Sequence, residues 1–310
     1  AKAPLPPYYP NTPDVRTNVA VFYTQVTLLD KQVKELLDQL EEDGLADDTI
    51  VFFYGDHGDG LPRGKRWLHD SGMKVPFIIR FPKKYQHLAP AKPGSAINEM
   101  ISFADLAPTM LSLTGIDIPD YIQGRAFLGE AKKPEPEYLF GIRDRVDEVL
   151  ELSCSVRDRK YLYIRNFYPH RARMQRSFYA EITPIRKELR RLDQEGELHG
   201  DEVWLMQEHV FAEELYDLEA DPHQMNNLID APYSWDVPQR FRKELLNWII
   251  KTKDTAFLPE QEMIRRSKGG SPYDMARKPA VYPIEQILEV ADRKKKKKKH
   301  IPALQKALKD

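Results

Sequence analysis

The sequence predicts an α/β domain followed by a small antiparallel-sheet subdomain, on three observations. A long stretch with helical apolar spacing leads through a short turn into a dense run of β-branched and aromatic residues, the pattern of a helix feeding a buried strand. A second run of the same kind, VPFIIRF at 75–81, follows it. From about residue 138, short strand-like segments succeed one another without helices between them, which is the signature of an antiparallel sheet.

Residues 15–45 read as the first helix. Val19, Phe22, Tyr23, Val26, Leu29, Val33, Leu36, Leu37 and Leu40 recur at three- and four-residue spacing, a stripe expected to pack into a core. Asp14, after Pro13, is the expected N-cap, and Gly44 the left-handed stop. A turn of Ala46, Asp47 and Asp48 leads into TIVFFY at 49–54, dense enough to predict a strand buried on both faces. The strand at 75–81 is closed by Pro82. MISFADLAPTMLSLT at 100–114 predicts a helix ended by Gly115. Pro134 and Pro136 mark a subdomain boundary. Beyond it, 138–142, 151–156 and 160–165 predict strands, separated by charged RDR turns at 143–145 and 157–159. Residues 234–253 predict a helix with Phe241, Leu245, Leu246 and Ile249 on one face. After Phe257 the chain turns polar and basic. The expected division is 1–133 for the α/β part, 134–257 for the antiparallel subdomain with its helix, and 258–310 for a tail.

Composition excludes several functions. Hydrophobic residues make up 41% of the 310, enough for a real core, and no stretch approaches the ~18 consecutive apolar residues of a spanning helix. With 47 basic and 48 acidic residues the net charge is −1, so no global field steers the chain to nucleic acid or an acidic membrane. One cysteine excludes an internal disulfide framework and a cysteine-built zinc site. That residue, Cys154, lies in a predicted strand and reads as a small buried apolar side chain. The lysine run at 294–299 reads as a solvated tail or hinge, with polyanion binding as the alternative. Residues 1–13 hold five prolines and no basic-then-apolar leader. They predict either an extended arm or a loop of a longer chain.

The chemistry concentrates between the two dense strands. GDHGDG at 55–60 sets Asp56, His57 and Asp59 directly after a strand, where ligands gather in α/β sheets. Gly55, Gly58 and Gly60 let the backbone turn sharply. A carboxylate and an imidazole at adjacent positions both reach a metal if the turn bends between them: carboxylate suits hard cations such as calcium or magnesium, imidazole softer ones. The alternative is a solvated turn in which an Asp caps the backbone. Next, PRGKRWLHDSGMKVP at 62–76 places Arg63, Lys65, Arg66 and Lys74 within twelve residues. Such cations neutralise phosphate or sulfate groups, and a lysine beside other cations is suited to proton donation. An ordinary basic surface loop is the alternative. No Ser-His-Asp or Cys-His-Asn arrangement and no Gly-rich phosphate loop suggests itself.

These segments together resemble the type I sulfatases of the alkaline-phosphatase-like superfamily. The resemblance rests on DDTIVFFYGDHGDG with GKRWLHDSGMKVPFIIRFP, FADLAPTMLSLTGIDIP with YIQGRAFLG, RDRKYLYIRNFYP, and ELYDLEADPHQMNNL at 214–228. It runs from about residue 15 to 257. PRGKRWLHDSG and FGIRDRVDE look most like bacterial members of the heparan N-sulfatase kind. The resemblance implies the C-terminal part of an alkaline-phosphatase-like sulfatase domain, a sulfated saccharide substrate, and N-sulfoglucosamine of heparan type as the narrower expectation. It implies Asp56 and His57 as calcium ligands, with Mg2+ or Mn2+ as substitutes, and Lys65 as the group that contacts the sulfate and assists the leaving atom. Lys74 and His69 are expected substrate contacts: Lys74 stands where many members carry a basic residue before Val-Pro, and His69 where many carry Tyr. Arg63, Arg143 and Arg145 are expected sugar or sulfate contacts, with structural ion pairs as the alternative for the last two.

The family's nucleophile, a formylglycine made in a C/S-x-P-x-R motif, has no counterpart in these residues. Cys154 is followed by no proline or arginine at the required spacing. The nucleophile is therefore expected on an N-terminal fragment or chain that completes the domain, and periplasmic or secreted localisation is expected from family habit. VYPIEQILEVADR and the residues after it resemble the entry to a HEAT-type repeat. A phosphonate or phosphodiester hydrolase of the same superfamily, or a catalytically silent glycan-binding relative, are the rival readings.

Overall fold

The computed structural model describes residues 3–232 and 236–291. The lysine run at 294–299 lies outside the described residues, as does most of the segment read as leading into a repeat.

Helix α1 spans Pro13–Glu42. Its cap is Thr12, not the expected Asp14: the Thr12 hydroxyl accepts from the Val15 amide at 3.4 Å, and Pro13 opens the first turn. Asp14 falls inside that turn, where its charge suits the helix dipole. Val15 and Val19 are buried against Tyr8, Tyr9, Ile185 and Leu189. The rest of the apolar stripe does not pack as expected: Tyr23, Val26, Leu29 and Leu36 are exposed, Leu36 by 67%.

Strands β1 (Val51–Tyr54) and β2 (Phe77–Arg80) pair antiparallel with each other, Val51 opposite Arg80 and Tyr54 opposite Phe77. They were expected to be buried on both faces. They are half-buried, because this two-stranded sheet is covered on one side by Phe103 and Phe127 while Ile78 on the other is 60% exposed. Between them lies the short helix α2 (Asp70–Met73). Helix α3 (Leu106–Leu113) follows, entered through a capping box on Ser102 and Asp105 and left through Gly115 at φ 71°.

The second subdomain is a four-stranded antiparallel sheet in the order β3-β4-β5-β6, formed by Leu139–Val146, Val149–Arg157, Tyr161–Asn166 and Glu213–Asp217. The segment 143–145, read as a turn, is strand. Arg143 pairs across the ladder with Ser153, and its charge meets Glu151 at 2.9 Å, so the arginines sit in a sheet without leaving it. The turn comes later, at Asp147 (φ 52°). One face of the sheet carries Cys154, Val156, Tyr163 and Leu215 onto Phe241, Leu245 and Ile249 of helix α6 (Asp236–Thr252). The other face is buried but partly polar, with Ser153, Ser155, Asn166 and Glu214. Helices α4 (Phe178–Glu181) and α5 (Pro184–Glu195) lie between β5 and β6, α5 packing on α1.

Residues 258–291 belong to the same core. Helices α7 (Glu260–Ser267), α8 (Pro272–Ala276) and α9 (Ile284–Ala291) bring Met275, Ala276, Tyr282, Ile284 and Leu288 against the α6 side. The apolar residues among the charges, spaced for one face, outweigh the polar average from which a tail was expected. No described helix is long and apolar enough to cross a membrane.

Candidate active site

The chain between β1 and β2 folds back on itself. The Gly58 amide donates to Gly72 O at 2.9 Å, and the Lys65 amide to Asp59 O at 2.6 Å. Two glycines make this closure sterically accessible. A Cβ on Gly58 would lie 1.8 Å from Ser71 O, and one on Gly64 2.2 Å from Asp59 O. Gly60, by contrast, has open space around it. Arg63 and Arg66 both hold left-handed backbone, at φ 73° and 80°. That conformation costs a side-chain-bearing residue of order 1 kcal/mol or more and persists where the surroundings enforce it.

Asp56 and His57 stand at the open end of this loop. His57 Nε2 lies 3.3 Å from Asp56 Oδ2, and His57 Nδ1 lies 2.7 Å from Gly58 O. A carbonyl only accepts, so Nδ1 carries the proton in that contact. In the neutral ring Nε2 then presents a lone pair toward a carboxylate oxygen. Two acceptors at this distance call for a proton or a cation between them: a doubly protonated ring makes the contact an ion pair, and a bare Nε2 makes the two groups a pair of metal donors. These residues supply a minority of the about six to eight ligands calcium takes. Among the described residues no group of three or more His, Cys, Asp and Glu side chains is placed to hold a metal ion. Asp59 does not join the pair. It is partly buried, which raises its carboxyl above the usual range, and its Oδ1 accepts from the Leu61 amide at 3.0 Å.

The loop brings Lys65, half-buried, and Lys74, exposed at the end of α2, onto the same segment as Asp56 and His57. The other predicted contacts are placed differently. Arg63 is 1% exposed: its guanidinium lies between the rings of Tyr8 and Trp204, at 4.6 and 4.3 Å, and donates to His223 O and, at 2.7 Å, to Gln224 O. It has no face for a sulfate and is an anchor of the loop. His69 is buried among Trp67, Trp204 and Tyr216. Burial, helped by the charge of Arg63, pushes its imidazole down to about 3, so the ring is neutral in the fold. It is not a substrate contact either. Arg143 does face the loop, over Trp67 at 4.9 Å, but it is almost fully buried and paired with Glu151. Arg145 points the other way, to Asp144 at 2.5 Å and to Leu258 O. A register shift between residues 143 and 145 separates them, although simple alternation would put both on one face.

Sequence reasoning missed what lies beneath the loop. Gln224, 1% exposed, accepts from the Asp70 amide at 2.9 Å and donates to Pro222 O at 2.9 Å. Asp70 also pairs with Arg157 of β4 at 2.7 Å. Buried Glu214 pairs with Arg173 at 3.3 Å and lies 3.8 Å from His69 Nε2. Burial alone would raise the Glu214 carboxyl, but Arg173 and its other polar neighbours outweigh it and hold the group ionised. Tyr9, from the proline-rich start, donates its hydroxyl to Pro62 O at 2.5 Å. The signal available was the glutamate pair inside the apolar strand EELYD, since a charge there needs a buried partner.

The family model for sulfatases matches residues 3–116, the segment with α1, the loop, β2 and α3. An ulvan-active sulfatase of Formosa agariphila is 39% identical over 267 residues, 86% of this chain and 44% of that protein. The chain belongs to the sulfatase family. Human N-sulphoglucosamine sulphohydrolase is 28% identical over 265 residues, 81% of this chain and 51% of that protein. This sulfatase chain thus spans about half the length of these curated relatives. A solved structure of a Bacteroides fragilis protein assigned as a sulfatase has a TM-score of 0.57 at 23% identity, over 81% of this chain and 47% of that one. That likeness shows the fold.

Proposed function

We propose that these residues form part of the site of a sulfuric ester or sulfamate hydrolase for sulfated sugars, with N-sulfoglucosamine of heparan type as the narrower substrate. The observation that carries this reading is the paired Asp56 and His57, their acceptors 3.3 Å apart, on one folded loop with Lys65. Asp56 and His57 would hold a calcium ion, with Mg2+ or Mn2+ taking the same ligands. When bound, the cation polarises the sulfate oxygens. Lys65 orients the sulfate and donates a proton to the departing oxygen or nitrogen. The nucleophile, a formylglycine, is supplied from outside these 310 residues. The apolar stripe of α1, with Leu36 and Leu29 exposed, and the open face of the β1–β2 sheet form the surface on which the remainder of the sulfatase domain packs. The place of action is the periplasm or the exterior.

The test uses full-length protein with N-sulfoglucosamine, an aryl sulfate and a phosphodiester as substrates. Turnover of a sulfate, a fall in kcat/KM of roughly 10² or more in Lys65→Ala, and loss of bound calcium in Asp56→Ala are expected. Turnover of the phosphodiester alone, or calcium retained by Asp56→Ala, overturns the reading.

A further inference from the structure

We propose that Phe178 and Tyr179 form a second saccharide-binding platform, on which a sugar next to the one being desulfated stacks. This rests on the reading of the Lys65 loop as the sulfate site. Phe178 is 84% and Tyr179 60% exposed, and both lie on the short helix α4. The segment that carries them is anchored at both ends. The Phe178 amide donates to the Glu148 carboxylate, and the Ser177 hydroxyl lies 3.4 Å from Asp147. At the other end, Glu181 accepts from Arg186 at 3.0 Å and from Arg190 at 2.8 Å. The backbone that carries the two large rings is thus anchored by a polar network, which lowers the ordering cost of binding.

The platform adjoins the candidate site through one residue. Arg66 follows Lys65 directly, pairs with Asp147 at 2.5 Å, and sets its guanidinium 5.3 Å from the Tyr179 ring centre. In this proposal a saccharide whose sulfate lies at Lys65 reaches the Tyr179 ring by way of Arg66. Arg176, exposed and two residues before Phe178, gives the same segment a cation for a second sulfate. Apolar sugar faces suit the rings, and the sulfates suit the arginine, so charge and shape favour a sulfated oligosaccharide over an apolar peptide.

The experiment measures binding of a heparin-derived sulfated tetrasaccharide and of N-sulfoglucosamine to full-length protein by calorimetry, for wild type, Phe178→Ala/Tyr179→Ala and Tyr179→Phe. The double variant is expected to bind the tetrasaccharide roughly tenfold more weakly and the monosaccharide unchanged, and Tyr179→Phe to retain tetrasaccharide binding. Equal effects on both ligands, or no effect on either, overturn the platform. Protection of Tyr179 from nitration in the free full-length protein also overturns it, because another part of the protein then covers the rings. Failure of the Lys65 reading is distinguishable: it leaves sulfate turnover intact in Lys65→Ala, while calorimetry reports on the platform without turnover.

Discussion

At the scale of residues, the loop shows that a cluster of cations divides into roles that sequence adjacency does not separate. Lys65 and Arg63 are two positions apart, yet the first is half-buried on the loop and the second is spent on two carbonyls beneath it. The neutral His69 makes a testable statement about stability. Its folded pKa is about 3, against an ordinary 6.5. Between those values the unfolded chain binds the proton and the folded chain does not, so stability falls as pH drops below 6.5. The slope is at most about 1.4 kcal/mol per pH unit. Partly buried Glu151 and Asp254, whose carboxyls are raised by desolvation, act with the opposite sign at lower pH. The readout is therefore the difference between wild type and His69→Gln in urea midpoint at pH 7 and pH 5. The wild type should lose more stability over that interval, and equal slopes would refute the assignment.

At the scale of elements, the turn 217–227 and strand β6 clamp the loop that carries Lys65. Gln224 satisfies the Asp70 amide and Pro222 carbonyl from a position that excludes solvent. Gln224→Leu leaves both groups unpaired, and a loss of roughly 2–4 kcal/mol is expected in denaturant unfolding. Amide exchange at residues 63–72 should rise with it; unchanged protection there would sink the clamp. Much of the element plan was legible beforehand, because β-branched density and helical spacing report directly on burial in β4, β5 and α6. The strand status of 143–145 was not legible. Its charges are neutralised by Glu151 and Asp144, one on the neighbouring strand and one within the segment, and the bulge that aims them apart has no sequence marker.

At the scale of the whole molecule, the described residues form a four-stranded antiparallel subdomain joined to an α/β part with open apolar faces. α1 buries only Val15 and Val19 near its start and leaves an exposed stripe beyond them, and the β1–β2 sheet is covered on one side. If these faces receive the rest of the sulfatase domain, Leu29→Lys with Leu36→Lys should change the stability of this 310-residue chain by no more than about 0.5 kcal/mol. The same pair should lower yield and melting temperature of the full-length protein. A large destabilisation of the 310-residue chain, or an unaffected full-length protein, would contradict that packing.

The sequence by itself determined the family and the order of the main elements, and it proposed the Asp56, His57 and Lys65 set, because each is written in local spacing and in short contiguous motifs. Only the tertiary structure decided which arginines face solvent, that His69 is a neutral core residue, and that residues 258–291 join the core. Those outcomes depend on partners distant in sequence. Arg63 meets its carbonyls about 160 residues later, and Asp70 meets Gln224 after 154. Whether a charge is paired or buried is fixed by what the fold brings to it, and local pattern carries no record of that.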